Sequence, residues 1–238
     1  MKSGMMKAVL AIGAAMFLAA CSSGGDGGGG TPPAAAPSVG KFIDSPVQGL
    51  HYTTQPSNLF GFTDAQGQYN YRLGDTVVFD IGGRPIGNPV TGAPEVTPLS
   101  LFNTTNINDP KVVNLAQLLL TLGGGAPVGG VIQLPTTIPA NLAPVLDFSR
   151  ADFDTTALPG TTLVSEPTAT AHLQTTFSIV SVTHAGSGTG TVLSIPTGIN
   201  CSSAVCSYAF NKVNSITLEA IGSGFAGWSN GTGSARGV

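Results

Sequence analysis

The alternation of apolar and polar positions predicts mostly short strands. Gly61 to Tyr71 (GFTDAQGQYNY) contains a turn between two strand-like arms: Asp64 can bond its own backbone, and Gly67 can take the positive φ that closes a hairpin. Tyr69 and Tyr71 alternate onto one face. Leu73-Gly74-Asp75 turns the chain again, Thr76 to Ile81 reads as a strand, and Gly82-Gly83 is another tight turn. The period changes after Asp109-Pro110. Val112, Val113, Leu115, Ala116, Leu118, Leu119 and Leu122 fall on one broad helical face; Asp109 suits the cap, Pro110 the first turn, and Gly123-Gly124-Gly125 the stop. Asn114 and Gln117 are expected to face solvent or satisfy nearby backbone. A shorter helix is predicted around Thr168 to Gln174. Strand patterns then return at Phe177–Val182, Thr191–Pro196, Tyr208–Phe210 and Ser215–Ala220, with a glycine-rich turn at Gly186–Gly190.

These elements predict a mainly β chain: a small β-sandwich with a helical insert over residues 39–177, then a second β module over 178–238. Composition agrees. Among 238 residues there are 33 Gly and 17 Pro, and only 9% are charged, against roughly 25% in an ordinary soluble domain. The formal net charge of −3 excludes a basic groove for nucleic acid. Low charge with abundant Ser, Thr and Gly is a surface style of exported β proteins.

The first twenty residues explain that style. Lys2 and Lys7 precede a short apolar run, Ala8 to Phe17, which suits a signal peptide better than a membrane-spanning helix. Leu18-Ala19-Ala20-Cys21 resembles the lipobox of bacterial lipoproteins. The resemblance implies cleavage before Cys21, lipid on its thiol and fatty acid on its new amine. Two or more acyl chains anchor stably. Residues 21–38 contain SSGGDGGGGTPPAAAP, which cannot bury a core and reads as a tether. Ser22 resembles the sorting signal for the outer membrane of Gram-negative bacteria. The expected partner is therefore a membrane, reached through lipid on Cys21.

Export also bears on the other cysteines. Cys201 and Cys206, in CSSAVC, form a disulfide candidate in an oxidising space. Zinc would need more ligands than lie nearby, and a redox pair would want C-x-x-C spacing.

Two further resemblances cover the folded part. Ser45 to Tyr52, the T-D-x-x-G-x-Y segment from Thr63, Gly74 to Val77 and Val96 to Leu99 together look like the N-terminal region of uncharacterised bacterial surface lipoproteins with a prealbumin-like sandwich and a helical insert. Downstream, Gly188, Gly190, Thr191, Val192, Pro196, Gly198, Ile199, Cys201, Cys206, Phe210, Thr217, Leu218, Ala220, Phe225, Gly227 and Trp228 occur in the order of the divergent internalin-B B-repeat family. That likeness implies a β-grasp-like spacer or binding module without catalysis. Family repeats run on past the tryptophan, whereas Gly231 to Val238 is turn material. The expectation is an incomplete module, lacking its final strand, with an open sheet edge able to accept a partner strand; a truncated or frameshifted gene is the alternative cause.

Candidate chemistry is sparse. His51, His172 and His184 each lack a motif context, and His172 is expected to be a structural, partly buried residue. There is no G-x-S-x-G elbow and no H-E-x-x-H pair. Gly186–Gly190 joins strands, with no helix N-terminus to receive phosphate. Asp147, Asp152 and Asp154 concentrate acid without the spacing of an EF-hand loop, so calcium competes there with plain caps and solvated loop residues. Sugar binding would favour exposed aromatics; Tyr52, Tyr69, Tyr71 and Trp228 are available but read mostly as core. The expected function is a non-enzymatic, lipid-anchored outer-membrane protein that binds a protein or glycan partner in adhesion or assembly. It needs no cofactor or metal. The alternatives are an envelope spacer facing the periplasm and, less favoured, an exported hydrolase.

Overall fold

The computed structural model describes residues 36–202, 205–222 and 225–229. The expected signal peptide, the expected lipid site Cys21, most of the expected tether and the segment after Ser229 lie outside the described residues. The described residues form one compact unit, mainly β with a small helical insert.

In chain order the strands begin with β1 (Ser38–Phe42), β2 (Val47–Gln48), β3 (His51–Gln55), β4 (Phe60–Phe62), β5 (Gln68–Tyr71) and β6 (Thr76–Ile81). They continue with β7 (Arg84–Pro85), β8 (Val90–Thr91) and β9 (Glu95–Val96). The helical part holds α1 (Pro98–Phe102), α2 (Pro110–Leu122), β10 (Ile132–Gln133), α3 (Phe153–Thr156) and α4 (Glu166–Thr176). Last come β11 (Phe177–Thr183), β12 (Thr191–Ile195), β13 (Asn200–Cys201), β14 (Val205–Asn211) and β15 (Thr217–Ile221).

Two sheets face each other in the first half. One has the order β5-β1-β9; the other runs β4-β3-β6-β7, with β8 also paired to β6. Their inner faces meet in an aromatic layer. Phe42 lies 5.0 Å from Phe79, and Tyr69 lies 5.7 Å from Tyr52 and 5.2 Å from Phe79, between ring centroids. The strand alternation that puts Tyr69 and Tyr71 inside leaves Asn70 exposed, as the period of two requires.

The turn at Asp64 forms as expected: its carboxylate accepts from the amides of Gln66 and Gln68, and Gly67 has φ 72°. Its arms, however, do not make a hairpin. β4 pairs with β3 and β5 with β1, so the turn crosses from one sheet to the other. Thr63 directs the departure. Its hydroxyl donates to the Val47 carbonyl and accepts from the Leu50 amide, tying the end of β4 to the β2–β3 turn. The Gly82-Gly83 turn does close a hairpin between β6 and β7, with φ of 58° and 80°.

Helix α2 carries the core of the insert. Asp109 caps it by accepting from the Lys111 amide, Pro110 occupies the first turn, and Gly123 ends it. Two of its polar side chains satisfy neighbouring loops: Asn114 donates to the Phe148 carbonyl and Gln117 to that of Val164. Such bonds keep loop carbonyls paired where water is scarce.

A second, smaller core gathers Val182, Val192, Ile199, Cys201, Phe210 and Ala220. It lies between the β11–β14 pair and the sheet β13-β12-β15. The two sheets are covalently joined, because Cys201 in β13 and Cys206 in β14 form a disulfide. Replacing both cysteines with alanine is expected to destabilise by about 2 kcal/mol through freed chain entropy. Urea unfolding of the full chain checks this: reductant should shift the native midpoint and leave that of the double variant unchanged.

Candidate binding face

Strand alternation gives the sheet of β3, β4 and β6 two unlike faces. Tyr52, Thr54, Val77, Phe79 and Ile81 point inward and are buried. The register aligns the outward residues in cross-strand rows. Phe62, His51, Asp80 and Pro85 form one row; Phe60, Thr53 and Val78 form the next; Gln55, Thr76 and Thr91 form a third.

The unusual members are the two phenylalanines. Phe60 is 76% exposed and Phe62 69% exposed, on alternate positions of one strand. Single exposed apolar residues are ordinary, whereas two exposed aromatic rings on one sheet face make a candidate interaction surface. The His51 ring stacks on Phe62 at 5.1 Å, with an interplanar angle of 58°. Its Nδ1 donates to Asp80 Oδ2 at 2.6 Å, and Asp80 Oδ1 accepts from the Gly83 amide at 2.8 Å. The carboxylate is thereby fully engaged, and it holds the imidazole with Nε2 as the nitrogen left for a ligand.

The predicted site residues are placed as follows. Cys21 lies outside the described residues. His172 is not alone: Nε2 meets both the main-chain oxygen and Oδ1 of buried Asp44 at 3.1 Å. His184 follows β11, with its Nε2 buried and unpartnered among the described residues. Neither paired imidazole hydrogen-bonds a hydroxyl or thiol among those residues, so no nucleophile is activated by either.

Asp147, Asp152 and Asp154 do not converge. Asp147 accepts from the Ser149 hydroxyl and amide, which hold its carboxyl below the usual range. Asp152 forms a two-pronged pair with Arg150 and is lowered by it. Asp154 sits in the first turn of α3. Among the described residues no group of three His, Cys, Asp or Glu is arranged to hold a metal ion.

Tyr52, Tyr69 and Tyr71 are core, and Trp228 packs against the second core. Phe60 and Phe62 are absent from the sequence-derived candidates. Their signal is the F-G-F alternation, which says that both rings share a face but not which face meets solvent.

A groove of about 490 Å³ also opens beside the β6–β7 hairpin, lined by Arg84, Asn88, Phe102, Lys111 and Phe148 among others. Its arginine is consumed structurally. Nε donates to the Ala143 carbonyl, Nη1 to that of Gly82 and Nη2 to that of Leu142. Compared with known proteins, the chain matches no family model, no curated protein and no solved structure. Among the described residues no helix is long and apolar enough to cross a membrane.

Proposed function

We propose that this chain is a lipid-anchored protein of the bacterial outer membrane that binds a surface partner and performs no catalysis. Lipid on Cys21 and the tether to residue 38 would hold the folded head off the membrane. The outward face of β3, β4 and β6 is its binding surface, and the second module acts as a further spacer or binding unit in the manner of a divergent B-repeat. One observation carries the reading: Phe60 and Phe62 stand in solvent on one sheet face beside an oriented imidazole. The lipobox-like Leu18-Ala19-Ala20-Cys21 supports the anchor. Among the described residues, the carboxylate-paired imidazoles of His51 and His172 hydrogen-bond no hydroxyl or thiol, which supports binding over hydrolysis.

Protease shaving of intact cells tests this, with Cys21→Ser beside the native chain. The head should be cleaved on whole cells, and the variant should be lost from the envelope fraction. Protection until the outer membrane is broken would instead put the head in the periplasm and replace adhesion with a spacer role.

A further inference from the structure

Resting on the reading of this face as a binding surface, we propose that its ligand is a neutral polysaccharide laid across the β4–β3–β6 rows. Phe60 and Phe62 supply the stacking surface. Residues two apart on one strand are separated by about 7 Å, so the two rings can meet different sugar units of one polymer chain. A sugar ring offers a patch of C–H groups to an aromatic face and hydroxyls around its rim. The face answers both. Beside the rings lie the hydroxyl of Thr53 and His51 Nε2, the ring nitrogen that Asp80 does not take.

Charge narrows the ligand further. No lysine, arginine or glutamate stands in the three rows, and the one carboxylate, Asp80, is taken up by His51 and Gly83. A charged polymer would find no lysine, arginine or free carboxylate there to pair with, which favours an uncharged one.

The competing occupant is a peptide strand added at the free edge of β4. That edge is three residues long. Beyond it the main chain of Thr63 is already bonded to Gly49 and Leu50. So short an edge gives few ladder bonds, a common way for sheets to discourage added strands.

The test is affinity electrophoresis of the full-length protein in detergent, in native gels containing laminarin, hydroxyethylcellulose, galactomannan or dextran, with polygalacturonate as the charged comparison. At least one neutral polymer should retard the native protein. The Phe60→Ala/Phe62→Ala variant should lose about tenfold or more of that retardation while keeping its urea midpoint, since both rings are exposed. No retardation by any neutral polymer, equal retardation of the variant, or retardation by polygalacturonate alone would overturn the proposal. Binding to cell-envelope material treated with periodate or with protease separates the two readings. If the variant loses only a protease-sensitive, periodate-resistant interaction, the ligand is protein: the polysaccharide is wrong and the binding face stands. If the variant binds like the native chain to every preparation, the face is not a binding site and both readings fall.

Discussion

Replacing His172 with alanine is expected to destabilise the fold by about 3–5 kcal/mol, the cost of leaving a buried charge without its partner. Asp44 is completely buried between β1 and β2, and the ring of His172 reaches it from α4, so one contact ties the helical insert to the first sheet. Asp44 Oδ2 has no partner among the described residues, which makes the His172 bond to Oδ1 the main compensation. Asp44→Asn should cost less than His172→Ala, because an amide can still accept at Oδ1 and carries no charge. The cost should also depend on pH. Burial of the imidazole opposes its protonation, but the Asp44 side-chain bond, the Asp44 charge and the Asp44 carbonyl outweigh it, so the His172 pKa lies above its ordinary 6.5. The folded state therefore holds this proton more tightly than the unfolded chain. The extra stability is complete below about pH 6.5 and is lost as pH rises through the folded value. Urea midpoints of native and His172→Gln proteins should differ most near pH 5.5 and converge in part by pH 9. A gap that stays constant over that range would exclude a charged pair.

The pair illustrates what the sequence conceals. Asp44 and His172 are 128 positions apart, and no local pattern joins them; only the docking of α4 beside the first strands does. The same holds for His51 and Asp80, which meet because β3 and β6 are antiparallel neighbours in one register. Elements set by local physics were legible: the cap at Asp109, the Pro110 start and the Gly82-Gly83 hairpin follow from residue chemistry within a turn. The disulfide was legible from the nearness of the two cysteines, once the N-terminal pattern had raised the expectation of export. The Asp64 turn was legible as a turn but not as a crossing between sheets, because pairing partners are chosen by distant strands. Phe60 and Phe62 mark the same limit. A three-residue strand has too little context to show whether its apolar face meets a core or solvent.

Tyr69 should be the most sensitive aromatic position. It is almost completely buried, with Tyr52, Tyr71 and Phe79 all within 5.7 Å between centroids. Tyr69→Ala should cost about 3–5 kcal/mol, because the layer between two sheets cannot collapse onto the void. The hydroxyl adds a separate contribution. It donates to the Ala93 carbonyl at 2.7 Å and accepts from the Ala93 amide at 3.1 Å. Tyr69→Phe keeps the packing and strands those two groups, so a smaller loss of about 1–3 kcal/mol is expected. Space around the ring is already used. A Cβ on Gly40 would sit 2.5 Å from the Tyr69 Cζ and 2.3 Å from the Ala93 oxygen, so Gly40→Ala should displace the same ring from the other side. Ionisation offers an independent measurement. Burial, the largest influence, pushes the Tyr69 hydroxyl up to about 12, against a smaller downward pull from the Ala93 bond and a further push from Tyr71. Since the folded state disfavours the phenolate, stability should fall between pH 10 and 12 as the unfolded chain loses this proton first. Tyr69→Phe should lose less stability than the native chain across that interval, measured by urea midpoints at each pH. Parallel curves would mean that the hydroxyl meets water, and the closed aromatic layer between the sheets would have to be abandoned.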